Sequence, residues 1–190
     1  RSQSLIRRFA SCRVPDGEGG WHRFFNQFTI GSKTTAVKSG EGPSTMIDYS
    51  FEDAPDFDIL LIPGGFGTRA AVSNDAFLGK IAAMSEKARV TATVCTGSAV
   101  LARTGLLDSR PATSNKLAWD WVLEQGPHVH WKRQARWVDD GDIVTSSGVS
   151  AGIDMTLDLI ARLRGEETAT NSAKFMEYIW NRVSTNDPFS

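Results

Sequence analysis

The run Val90-Thr91-Ala92-Thr93-Val94-Cys95-Thr96-Gly97-Ser98-Ala99 decides how this chain folds. Its first five residues are uncharged and mostly β-branched, which suits a strand buried in a sheet. From Gly97 the residues turn small and apolar through Ala102, which suits a helix. Cys95 falls at the switch, on a tight bend, with its thiol off the end of the sheet. Free N–H groups and the positive end of the helix dipole favour a thiolate there, so the sequence predicts an unusually acidic thiol. This is the nucleophile-elbow layout with Cys in place of Ser. A free cysteine is also a small buried hydrophobe, and the strand-Cys-helix pattern alone does not choose between the two.

Two further junctions of the same kind bear on the choice. Asp58 leads into the apolar run Ile59-Leu60-Leu61-Ile62, which Pro63-Gly64-Gly65-Phe66-Gly67-Thr68 stops and turns. In an open parallel sheet, loops at the carboxyl ends of neighbouring strands line one crevice. An amide of Gly65 or Phe66 is therefore expected to face Cys95 and, with the amide of Thr96, to form an oxyanion hole. The second junction is Thr145-Ser146-Ser147-Gly148-Val149-Ser150-Ala151-Gly152-Ile153-Asp154. Ser150 reads as a helix N-cap, and Ile153, Leu157 and Ile160 as one helical face.

Pro63-Gly64-Gly65, Val94-Cys95-Thr96-Gly97, Gly105-Leu106-Leu107-Asp108 and Gly148-Val149-Ser150-Ala151-Gly152-Ile153-Asp154 occur in an order and at spacings that resemble the PfpI/ThiJ family. That family belongs to the class I glutamine amidotransferase-like superfamily, and the wording of the motifs is most similar to its isocyanide hydratase-like branch. The resemblance implies an α/β, flavodoxin-like fold: a doubly wound, mostly parallel sheet with helices on both faces. It implies a Cys95 nucleophile acting on a small electrophilic substrate, as in hydration of an isonitrile to an N-formamide, and a homodimer. In that reading the Thr96 hydroxyl and the backbone at Gly148 and Val149 position a water. The alternative is a non-catalytic, redox-responsive or small-molecule-binding protein of the same fold.

Length and composition agree. The chain has 190 residues, enough for one domain, and 41% are hydrophobic. Twenty-one basic against 22 acidic residues leave a net charge of −1, which offers no bulk attraction to nucleic acid or an anionic membrane. No apolar run approaches the ~20 residues of a membrane span. Two cysteines, Cys12 and Cys95, are too few for a disulfide framework, which points to a cytoplasmic setting. No Cys or His cluster suggests a metal, and nothing calls for a cofactor.

Outside the motifs, Phe28-Thr29-Ile30 and Thr34-Thr35-Ala36-Val37 read as short strands. Asn74 is expected to cap a helix through Lys87. A helix is expected over 116–124, with Leu117, Trp119 and Trp121 on its apolar side. Residues 135–145 read as a hairpin turning at Asp140-Gly141, and helices are expected over 151–164 and 168–180. Asp154 is expected to stabilise a helix end, and His128 and His130 to lie on a solvated strand face. The Trp residues are read as core or dimer packing.

Two features depart from the family pattern. Residues 1–27, rich in Arg and Ser, read as an atypical arm ahead of a single domain over 28–190, and the family's first strand-helix unit, with its acidic residue, is missing or altered. Where relatives carry a histidine after the cysteine, this chain has Ala112-Thr113-Ser114-Asn115. Asn115 donates and accepts hydrogen bonds but takes no proton. It is expected either to orient substrate or water beside Cys95 or to cap the helix that follows.

Overall fold

The Val90–Val94 strand is buried at every residue, and the fold is arranged around it. The structure is a computed structural model that describes residues 13–15, 21–23, 26–38 and 42–190. In chain order the strands are β1 (Arg13–Pro15), β2 (Trp21–Arg23), β3 (Ile30–Gly31), β4 (Val37–Lys38), β5 (Ser44–Thr45), β6 (Tyr49–Ser50), β7 (Ile59–Ile62), β8 (Val90–Val94), β9 (Pro111–Ala112), β10 (His130–Trp131), β11 (Trp137–Asp139) and β12 (Ile143–Ser146). The helices are α1 (Thr68–Ala71), α2 (Asp75–Lys87), α3 (Gly97–Arg103), α4 (Trp119–Gln125), α5 (Val149–Arg164) and α6 (Glu166–Phe175).

The main sheet has the order β11-β12-β8-β7. β7 and β12 both run parallel to the central β8, and β11 returns antiparallel on β12. Side-chain alternation sends the two faces of the sheet into two cores. Leu60 and Ile62 enter the core with Phe77, Ile81, Val100, Leu101 and Leu107. Val90, Ala92, Val94 and Val144 enter the other, with Met155 and Leu159 of α5. Helices therefore cover both faces, the doubly wound α/β architecture that the motifs implied. Because three parallel strands end together, the loops after β7, β8 and β12 meet at one edge.

Some local expectations need correction. Near Phe28 and Thr34 the strands shrink to β3 and β4, which lie outside the main sheet. Thr29 spends its N–H on the Asp48 carboxylate at 2.7 Å and its hydroxyl on the same oxygen at 2.8 Å, so its N–H is not available to a strand partner. The helix expected from 116 begins at Trp119, and Leu117 is 98% exposed rather than packed. α5 starts at Val149 with Gly148 as its cap, so Ser150 lies inside the helix and is not the N-cap. The last helix stops at Phe175. Glu177 takes a left-handed φ of 52°, and Tyr178 N–H closes the end on the Ala173 carbonyl at 2.9 Å. The helix capped by Asn74 stands as expected, and the hairpin expected over 135–145 forms as β11 and β12. His128 and His130 are exposed, but only His130 lies on a strand, β10, while His128 sits in the turn before it. Most of the expected arm, including Cys12, lies outside the described residues.

Candidate active site

Cys95 has φ 59°, a left-handed conformation that an L-residue adopts at a cost of roughly 1–2 kcal/mol. Hydrogen bonds on both sides hold it there. Its N–H donates to the Ser147 carbonyl at 2.8 Å and more weakly to Ser146 at 3.2 Å. Its carbonyl accepts from the hydroxyls of Ser98 at 3.1 Å and Ser114 at 3.0 Å. The loops after β8 and β12 and the run before α4 thus converge on one strained peptide, the situation in which strain persists.

The turn leaves no space behind it. A Cβ on Gly97 would lie 2.2 Å from the Ile62 carbonyl oxygen, and one on Gly64 would lie 2.6 Å from the Thr96 nitrogen. Glycine is what lets the β7 loop press against the elbow.

That pressure sets the fate of Thr96 and Gly65. The Gly65 N–H donates to Thr96 Oγ1 at 3.0 Å, and the Thr68 hydroxyl lies 3.1 Å from the same oxygen. The expectation that the Gly65 amide serves an oxyanion hole is therefore corrected: its hydrogen is already used. The Thr96 oxygen is thereby engaged in clamping the loop, while its hydroxyl reaches the Gly65 carbonyl at 3.3 Å and acts on the Cys95 sulfur. The Phe66 N–H has no acceptor among the described residues, while the Phe66 side chain is 91% exposed. Val149, at the start of α5, is exposed as well.

Asn115 does not cap α4, whose N-cap is Ala118 with no side-chain bond; it closes the turn ahead of the helix. Its Oδ1 accepts from the Ala118 N–H at 3.0 Å, a turn-closing bond that fixes which end of the amide is which. The NH2 end is left as a donor and acts on the Cys95 sulfur. Gly148 lies alongside, the position of a Cβ there being 3.7 Å from Asn115 Nδ2.

The expected acidic thiol is overturned. Burial pushes the Cys95 thiol above its usual value, and this outweighs the Thr96 backbone N–H, the Thr96 side chain and the Asn115 amide, which pull it down. A short helix with its first turn packed against two loops gives the sulfur too little water to ionise readily. Among the described residues no carboxylate or imidazole acts on it.

Asp154 does not stabilise a helix end. It is fully buried and accepts from Arg136 Nε at 2.8 Å and from the Asn181 N–H at 2.9 Å. Arg136, Lys116 and Asp187 complete this cluster. None of the three was singled out from the sequence, where each reads as an ordinary surface charge. The only sequence signal was that Lys116 follows Asn115 directly.

A model of the DJ-1/PfpI family matches residues 25–162. The chain belongs to the DJ-1/PfpI family. Isonitrile hydratase of Pseudomonas putida is 34% identical over 142 residues, 75% of this chain and 61% of that protein. The HTH-type transcriptional regulator CdhR of Pseudomonas aeruginosa is 31% identical over 77% of this chain and 43% of its own length. The crystal structure of a ThiJ/PfpI family protein from Pseudomonas syringae superposes with a TM-score of 0.72 at 31% identity, covering 80% of this chain and 62% of that one. The chain thus spans less than two thirds of these relatives. Among the described residues, no helix is long and apolar enough to cross a membrane.

Proposed function

We propose that this protein is a cysteine enzyme of the isonitrile hydratase type, converting a small isonitrile to the N-formamide. The observation that carries this reading is a strained, half-buried Cys95 at the meeting of three loops, with burial holding its thiol above the usual value. Adding Cys95 S–H to the terminal carbon of an isonitrile puts both sulfur and hydrogen on that carbon and gives a thioimidate, R–N=CH–S–Cys. The thiol supplies the proton that this step consumes. Water then adds to the same carbon, the nitrogen takes one proton, and the sulfur leaves as the thiol, releasing R–NH–CHO. Neither step expels an amine, so the chemistry suits Asn115 in place of a histidine. The amides of Thr96 and Phe66 stabilise charge that develops on the substrate. The Asn115 NH2, with the backbone at Gly148 and Val149, orients the water. The similarity to isonitrile hydratase supports the substrate class.

The test is direct. Protein incubated with a small alkyl isonitrile should release the N-formamide, and Cys95→Ala should release none. Absence of formamide from the unaltered protein, or equal release from Cys95→Ala, overturns the reading. A homodimer belongs to the same reading, and exposed Ile179, Val183 and Phe189 offer apolar surface for it. A solution mass near 20.8 kDa by light scattering would remove it.

A further inference from the structure

Behind Asn115 the chain buries four charges. The Lys116 side chain is 5% exposed and that of Asp187 1%. The ammonium of Lys116 has three N–H donors and three close acceptors: Thr113 Oγ1 at 2.9 Å, the Ser114 carbonyl at 3.1 Å and the Ala135 carbonyl at 2.9 Å. Its counter-charge is Asp187, with Oδ2 at 3.6 Å. On the far side of Asp187 stands Arg136 at 3.9 Å, itself paired with Asp154 at 2.6 Å. Asp187 Oδ2 is buried with no hydrogen bond of its own. The remaining neighbours of the ammonium are the Trp119 ring, 5.1 Å away, and Arg133, whose charge opposes it. Replacing a buried ion cluster of this kind by apolar side chains is often neutral or stabilising, so what it contributes is geometry.

That geometry leads to the sulfur. The carbonyl that Lys116 holds belongs to Ser114, whose hydroxyl donates to the Cys95 carbonyl. The hydroxyl it holds belongs to Thr113, whose N–H donates to Thr145 Oγ1 of β12 at 2.9 Å. Asn115 lies between these anchors and Lys116 itself.

We propose that Lys116 is a positioning residue for the Cys95 site: locked by Asp187 of the C-terminal segment, it anchors the 113–115 run and so sets the Asn115 amide against the sulfur. This rests on Cys95 being the reactive group, but not on isonitrile being the substrate. Lys116 reaches the acceptors of its own loop and not the thiol, so it acts through the loop and not through its charge.

The experiment follows the rate of Cys95 alkylation by iodoacetamide against pH, with peptide mass mapping to read Cys95 separately from Cys12. Four proteins are compared: unaltered, Asn115→Ala, the paired Lys116→Met/Asp187→Asn, and the triple variant. The pair removes one charge of each sign, so no lone charge stays buried by design. Asn115→Ala should move the profile to higher pH and slow alkylation at neutral pH by roughly fivefold, the factor that one ordinary hydrogen bond is worth. The paired variant should move it the same way, and the triple variant no further than Asn115→Ala alone. A merely structural role would lower the melting temperature and leave the profile in place. A shifted Asn115→Ala with an unshifted pair, or additive shifts in the triple variant, overturns the role of Lys116. An unshifted Asn115→Ala overturns the Asn115–sulfur contact and this proposal with it. If the pair fails to fold, Asp187→Asn alone carries the same expectation. The formamide assay stands apart, so failure of the substrate reading is distinguishable from failure here.

Discussion

Two regions hold the Cys95 sulfur in place by opposite means. The elbow after β8 uses only backbone groups and hydroxyls: Ser147, Ser98, Ser114 and the Gly65–Thr96 clamp, with no charged residue among them. The Asn115 loop is held from behind by Lys116, Arg136, Asp154 and Asp187, four charges in a nearly dry space. Neutral hydrogen bonds are individually modest but forgiving. A buried charge depends on its partner, and losing one partner costs far more than the pair contributes. The elbow should therefore respond to shape and the loop to charge.

The sharpest way to break that contrast is Arg136→Met, which leaves Asp154 without its cation. It should cost about 3–5 kcal/mol in a denaturant melt. A loss below about 1 kcal/mol would mean that the cluster is wetter than its burial implies. Next comes Gly97→Ala, an uncharged change in the elbow. The added methyl meets a carbonyl oxygen that cannot swing aside, and a loss of about 2–3 kcal/mol is expected. A smaller effect sharpens the elbow side: Cys95→Gly should be more stable than Cys95→Ala by about 1 kcal/mol, because φ 59° suits only glycine. The reverse order, common at ordinary positions, would show that the turn relaxes once the thiol is gone.

The smallest effect is a pH dependence, and it tests the loop. Burial, only partly offset by Asp187, brings Lys116 down to about 8 from 10.5. The unfolded chain then holds the proton more tightly than the folded one, so stability should rise as pH passes through the folded value. Between roughly pH 7 and pH 9 the gain should be about 1 kcal/mol, and Lys116→Met/Asp187→Asn should abolish it. Burial raises the Cys95 thiol, which favours the folded protein less as pH climbs beyond that window. A flat or falling stability in the unaltered protein would contradict a buried ammonium at Lys116.

The same contrast explains what could be read from the sequence. The elbow is local: a β-branched run, a cysteine and a glycine within ten residues announce strand, bend and helix, and the Pro63-Gly64-Gly65 turn announces its neighbour. The order of motifs carried the rest of the fold. The resemblance, not proximity, placed Asn115 beside Cys95, at the position where relatives carry a histidine. The direction of the thiol shift was not legible, because a helix N-terminus in sequence says nothing of how much water the fold leaves there. Nor was the loss of the Gly65 amide, which depends on the Thr96 hydroxyl turning back to meet it. Lys116, Arg136 and Asp187 escaped notice because each is unremarkable alone. They become a cluster only when segments distant in sequence pack together, and composition treats all three as surface charge.

The position of Asp187 also bears on the order in which the site is made. Synthesis proceeds from the N-terminus, and domains gather structure as the chain emerges. β7, β8, α3, the Asn115 run and β12 are all made before the segment that carries Asn181 and Asp187. At that stage every group holding the elbow is present, so Cys95 can already be bent into place. Lys116 still lacks its carboxylate, Asp154 its Asn181 N–H and the Arg136 N–H its Ser184 acceptor. A nascent chain halted before Asp187 would carry its cysteine on a formed turn, facing an amide not yet fixed. Shape comes early in this site, and charge comes late.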